Sequence, residues 1–183
     1  MVAAVLKQLS LSLLLLTGMG GLAGAIEPDR LLVGARTGYS ASSFDDPFHQ
    51  NEIYLDWYAK SRPWRLESHR GWLCQTRIEL SAGCLNGQDH KGFVGTLGPN
   101  WLLGNKHFPL FFDFGSSFTY LSRHQYGPTD FGVPLQFTTH VGGQLRLGSR
   151  VSLLYRLQHM SNAGQEEPNP GLDLHMFGVE YHF

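Results

Sequence analysis

His159, Ser161 and Asp173 are the residues in this chain whose types and spacing suit chemistry. A serine hydroxyl is a weak nucleophile until a neighbouring base takes its proton. An imidazole can do that, and a carboxylate can hold the imidazole in the right tautomer. Each residue also has a plainer reading. His159 could be an interfacial histidine, and Ser161-Asn162 a simple loop start. What separates the readings is whether the three side chains share one face.

Two alternating stretches flank a polar loop here. In Val151–Ser161 the odd row is Val151, Leu153, Tyr155, Leu157, His159 and Ser161, while Ser152, Arg156 and Gln158 lie opposite. In Leu172–Phe183 the odd row is Asp173, His175, Phe177, Val179, Tyr181 and Phe183. Side chains alternate across a strand with period two, so all three residues continue the apolar rows. His175 shares that row and offers a second imidazole, one step further from the loop.

The rest of the chain reads the same way. Alternation predicts strands near Leu31–Tyr39, Glu52–Tyr58, Trp72–Cys84, Gly92–Leu102, Pro109–Leu121 and Pro134–Leu147, with Pro99 an end or an irregularity. With the C-terminal pair this makes eight strands, an all-β chain. Arg123–Gly132 and Asn86–Asp89 read as loops. The 183 residues suit one domain. Lys7, the apolar run Leu9–Leu16 and Ala23-Gly24-Ala25 read as a signal peptide over 1–25, leaving 26–183 as the mature domain. That run is too short for a spanning helix, which needs ~20 apolar residues.

An exported chain with eight alternating strands fits a transmembrane antiparallel β-barrel, whose strands cross in ~9–11 residues. One face carries Arg36, Asp56, Arg77, Glu79, Asp113, His140, Arg146, Arg156 and Glu180. A small barrel's interior is filled by side chains, and this mixed-sign set can pair there. The inverse assignment, a soluble lipocalin-like barrel with an apolar interior, would need a densely charged exterior. The isolated charges among Gly, Ser and Thr do not supply one. With both termini at the periplasmic side, His159, Ser161 and Asp173 sit at the extracellular end, facing the outer leaflet of the bacterial outer membrane.

The run His159-Met160-Ser161-Asn162-Ala163-Gly164, followed by Pro168-Asn169-x-Gly171 and an acid two residues on, resembles the lipid A 3-O-deacylase family (PagL-type outer-membrane esterases). The resemblance implies His159 and Ser161 as catalytic base and nucleophile, and Asp173 where the family usually has Glu. It implies an oxyanion region over Asn162, Ala163 and Gly164. It further implies lipid A of lipopolysaccharide as partner and substrate, and no metal or cofactor. The oligomeric state is left open, a homodimer included.

Other features point to less. The net charge of −1, with no basic tract, argues against nucleic acid. His49, His69, His90, His107 and His124 lack metal-site spacing. His140 and His182 have lumen parity. Glu166 and Glu167 read as solvated loop charges. Cys74 and Cys84, on one extended strand, are too far apart to bridge and read as free thiols. The rival functions are an outer-membrane phospholipase and a non-enzymatic structural barrel.

Overall fold

The computed structural model describes residues 30–41, 47–59 and 62–183. The expected signal peptide at 1–25 lies outside the described residues. The strands are β1 (Arg30–Ser40), β2 (His49–Tyr58), β3 (Arg65–Glu67), β4 (Trp72–Gly87), β5 (His90–Asn105), β6 (Leu110–Leu121), β7 (Gln125–Tyr126), β8 (Thr129–Asp130), β9 (Leu135–Arg146), β10 (Val151–Ser161) and β11 (Leu172–His182). Eight of them pair antiparallel in the order β2-β1-β11-β10-β9-β6-β5-β4, and β2 pairs with β4 to close the ring. The all-β, eight-stranded barrel is therefore the fold.

Closure leaves a wall with two faces. Along β2, buried and exposed residues alternate from Gln50 to Asp56, and along β10 from Ser152 to Met160. The exposed rows are apolar: Ile53 is 65% and Leu80 55% exposed. That is the pattern of a barrel whose exterior meets hydrocarbon.

The lumen is packed with charge in its middle. Arg36 binds Glu52 and reaches Glu79 at 2.6 Å. Arg156 contacts Glu79 at 2.8 Å and Asp113 at 2.6 Å, and Arg77 reaches Asp56 at 3.2 Å. Gln144 donates to Glu180 at 2.6 Å. A charge taken out of water is tolerated only with partners of this kind. The lumen is a packed core rather than an open channel.

The lumen is not polar throughout, as the sequence reading had it. Near the β10–β11 loop it is closed by an apolar cluster of Phe48, Leu85, Val94, Leu121, Tyr126, Phe131, Met160, Leu172, Leu174 and Met176. Phe48, Tyr126 and Phe131 meet edge-on, with ring centroids 5.5–6.1 Å apart. The inward residues of the C-terminal hairpin rest on this plug, so the outward residues stand on a packed base.

Two local features differ from the sequence expectation, and at Pro99 the irregularity, rather than the strand end, is what the structure shows. β4 and β5 run further than expected and turn through Gln88 and Asp89 alone, both at positive φ, as a two-residue hairpin requires. The expected loop 123–132 contains the small β7–β8 hairpin. Pro99 does not end β5. The β4 pairing continues through Ile78↔Pro99, whereas the β6 pairing steps from Leu97↔Phe118 to Asn100↔Gly115. Proline lacks the N–H that a second ladder would need.

Candidate active site

β10 and β11 place the candidate side chains. Their register sets His159 directly across from Asp173. Directly opposed residues have Cβ atoms ~4.5–5.5 Å apart, so a short carboxylate arm suffices. His159 Nδ1 lies 2.7 Å from Asp173 Oδ1. A carboxylate only accepts, so Nδ1 carries the hydrogen and Nε2 is left with its lone pair free. About half of each side chain is exposed, 52% for His159 and 48% for Asp173. Both stand on the exterior face, above the Leu157–His175 pair.

Ser161 continues that row at the end of β10 and pairs with Phe137 of β9. Among the described residues no hydrogen bond joins Ser161 to His159. The two are neighbours on one face, two residues apart along the strand. Hydrogen bonds between nucleophile and base are often loose without substrate and tighten around it.

Gly171 shapes the other side of the imidazole. It adopts φ +69°, and a Cβ there would lie 3.1 Å from His159 Cε1. A side chain at this position would be both strained and pressed against the ring.

The loop between the strands is built around Asn162, which is fully buried. Its Oδ1 accepts from the N–H groups of Gly164 at 2.8 Å and Gln165 at 3.2 Å. Its Nδ2 donates to the carbonyls of Glu166 at 2.7 Å and Phe131 at 3.0 Å. Its own N–H goes to Asn169 Oδ1 at 3.1 Å. The Asn162 side-chain amide and the Gly164 N–H, both in the expected oxyanion region, are hydrogen-bonded inside the loop. The Ala163 N–H has no protein partner among the described residues, and Ala163 sits at φ +57°. Of the three expected positions, only Ala163 keeps a free backbone donor beside Ser161.

His175 does not join the group. It pairs with Leu157, and its Nδ1 lies 2.9 Å from the Tyr155 hydroxyl. His140 faces the lumen, 3.5 Å from Asp113, and His182 faces it 2.9 Å from Ser152. Glu166 and Glu167 are exposed in the loop.

Sequence reasoning missed Phe131, Gly132 and Asn169 as supports. Gly132, at φ +80°, leaves the space that the Asn162 amide occupies; a Cβ there would lie 2.7 Å from Nδ2. Asp130 accepts from Gly132 N–H and lies 2.9 Å from His124, and these two hold its carboxyl below the usual carboxylate range. The available signal was Tyr126-Gly127-Pro128-Thr129, a turn sequence between two short polar-aromatic runs.

The family description "Lipid A 3-O-deacylase (PagL)" matches residues 51–182. Lipid A deacylase PagL of Bordetella bronchiseptica (strain ATCC BAA-588 / NCTC 13252 / RB50) is 31% identical over 83 residues, 45% of this chain and 45% of that protein. The match thus spans under half the length of that relative. Among solved structures, the outer membrane enzyme PagL is similar with a TM-score of 0.69 at 18% identity, covering 81% of this chain and 97% of that one. The N-terminal β-barrel domain of Pseudomonas aeruginosa OprF reaches 0.59 at 10% identity, covering 85% and 98%. At these identities the structural likeness speaks to the fold.

Proposed function

Because the chain belongs to the lipid A 3-O-deacylase (PagL) family, we propose that it hydrolyses the ester-linked acyl chain at position 3 of lipid A. Ser161 is the nucleophile, His159 the base and Asp173 the orienting acid. The barrel is of the outer-membrane kind, and the reaction takes place on its exterior wall at the extracellular leaflet.

The observation that carries this reading is the His159–Asp173 pair at 2.7 Å on an exterior face whose rows run on through exposed Leu157, Phe177 and Val179. A polar pair on such a face is costly away from the interface and stabilises nothing that Leu would not. It fits a site that meets a lipid from the side.

In this reading the steps are as follows. His159 Nε2 takes the proton of Ser161 Oγ as Oγ bonds to the ester carbonyl carbon. Asp173 accepts from Nδ1–H and stabilises the imidazolium. The Ala163 N–H donates to the oxyanion, where one donor is typically worth ~3 kcal/mol. The carbon–oxygen bond to the sugar then breaks, and His159 returns the proton to that leaving oxygen. Water attacks the acyl-serine with His159 again as base. A free fatty acid leaves and Ser161 regains its hydrogen.

A fluorophosphonate serine reagent tests this on the purified, detergent-folded protein. The expected label maps to Ser161 and is lost in His159→Ala. Labelling that is absent, or that persists at the same rate in His159→Ala, contradicts an activated serine.

A further inference from the structure

The end of the barrel away from the β10–β11 loop carries charge that no lumen pair balances. β3 completes the wall there. β2 stops pairing with β4 at Trp57↔Ile78, and β3 takes its place with Arg65↔Gln75 and Leu66↔Cys74. Directly opposed residues share a face, so Arg65 lies on the lumen side with buried Gln75, while Leu66 is exposed outside. Arg146 closes β9 at the same end, paired with Ser152 at the far end of β10 from Ser161. Arg65, Arg146, Tyr58, Ser149 and Lys106 of the β5–β6 turn line one cavity there, of about 430 Å³.

The cations of this cavity are short of acids. Glu67 serves two of them, at 2.5 Å from Lys106 Nζ and 3.1 Å from Arg65 Nη2. Arg146 binds no carboxylate among the described residues, and its guanidinium lies over the Phe111 ring at 4.0 Å. Arg77, in the inner wall, already holds Asp56 at 3.2 Å. Arg65, Lys106 and Arg146 thus share one acid, which leaves two positive charges unmatched. In the middle of the lumen Arg36, Arg77 and Arg156 each have a carboxylate. Cations gathered around one cavity repel each other, and an anion among them relieves that repulsion.

We infer that this cavity is a binding site for a phosphomonoester dianion. The inference stands apart from the esterase reading, and the two sites lie at opposite ends of the barrel. Charge selects the ligand class. A phosphomonoester carries a charge of about −1.5 to −2 at pH 7, which matches the unmatched cations. A carboxylate or a phosphodiester brings a single charge. Donor geometry agrees. The guanidinium fork of Arg146 suits two phosphate oxygens, Lys106 adds a point charge and Ser149 a hydroxyl donor. Size agrees as well, since small-molecule pockets run to ~300–1,000 Å³ and leave room for an organic group beyond the phosphate.

The same dianion occurs on water-soluble sugar and glycerol phosphates and on lipids that end in a phosphate. The lining residues stand on the lumen side of the wall, so a ligand enters along the barrel axis from water rather than sideways from the bilayer. Bound there, it ties together β3, the β5–β6 turn and the end of β9. A ligand that binds only the folded chain also stabilises it, which gives a second readout.

The test is calorimetric titration of the purified, detergent-folded protein with glycerol 3-phosphate, with folding of every variant read from heat-modifiable mobility. The wild type is expected to bind saturably, more weakly as salt rises, and to unfold at a higher urea concentration with the ligand present. Arg146→Gln is expected to weaken binding by about tenfold, and Lys106→Gln by roughly threefold. Arg146→Lys, which keeps the charge without the fork, falls between the wild type and Arg146→Gln. Arg150→Gln removes a cation of the same end that lies outside the cavity, beside the Tyr181 hydroxyl, and leaves binding unchanged. Absence of saturable binding to the wild type overturns the proposal. So does equal weakening by Arg146→Gln and Arg150→Gln, which marks a diffuse positive field, or acetate bound as tightly as glycerol 3-phosphate. Phosphatidylcholine nanodiscs with and without phosphatidic acid then assign the source. Glycerol 3-phosphate binding that phosphatidic acid leaves intact supports a water-soluble ester at this site, and binding that it blocks supports the same site filled by a lipid phosphate.

Discussion

Arg156 and His159 lie three residues apart on β10 and face opposite sides of the wall. Arg156 is fully buried and binds Asp113 and Glu79. His159 is half exposed and has one carboxylate partner. Both are cations or potential cations beside an acid, yet their surroundings assign them different work. The lumen network satisfies charge with charge, and its removal would leave partners stranded. The exterior pair stands where hydrocarbon-like residues would serve stability better. Charge as such does not mark the site. Charge on the apolar face does.

This contrast can be broken or sharpened by substitution. The largest effect on activity belongs to the exterior face. His159→Ala is expected to lower deacylation by at least ~10³-fold, and Asp173→Asn by a comparable factor, with unchanged heat-modifiable mobility on gels. Asp173→Glu, which restores the acid the family usually carries, should stay within about tenfold of wild type by the same assay. The lumen gives the converse. Arg156→Met takes the arginine from Asp113 and leaves Glu79 with Arg36 as its cation, and should cost ~3–5 kcal/mol of stability in urea unfolding, while the folded fraction keeps its activity. If Arg156→Met abolished activity in a fully folded barrel, the division between the two faces would be wrong.

Smaller effects lie in the loop that joins them. Asn162→Ala removes the side chain that binds the Gly164 and Gln165 N–H groups and the Phe131 and Glu166 carbonyls. It should cost on the order of 2 kcal/mol, seen as faster amide exchange over residues 162–171. The smallest effect is that of pH on Asp130. Its folded carboxyl is held low by His124 and Gly132 N–H, so its contribution is present above the ordinary value of ~3.9 and is lost as pH falls through the depressed one. Faster exchange of the Gly132 amide with falling pH, absent in Asp130→Asn, checks this.

Much of this was legible as parity. Period two put His159, Ser161 and Asp173 on one face, and Arg36, Arg77, Arg156 and Glu180 on the other. A hairpin with one register then brought His159 opposite Asp173. Three things were not legible. Asn162 has most of its partners in its own loop but sends Nδ2 also to the Phe131 carbonyl just after β8, far away in sequence, so that contact could not be read from the local motif. Met160, Leu172, Leu174 and Met176 are apolar on the inward face. Near the loop edge the lumen excludes water by packing rather than by pairing charges, and a polar-lumen rule misses that. Pro99 breaks one ladder and keeps the other, which depends on which neighbour its missing N–H would have faced.

If Ser161 acts on lipid A, removal of its hydroxyl must stop deacylation. Mass spectrometry of lipid A from bacteria expressing the wild type or Ser161→Ala, with both proteins shown to be folded in the outer membrane, tests it in one comparison. The wild type should yield lipid A lighter by one ester-linked acyl chain at position 3, and Ser161→Ala should leave lipid A intact. Deacylated lipid A in the Ser161→Ala cells, or intact lipid A with newly formed lysophospholipid in the wild type, would contradict it.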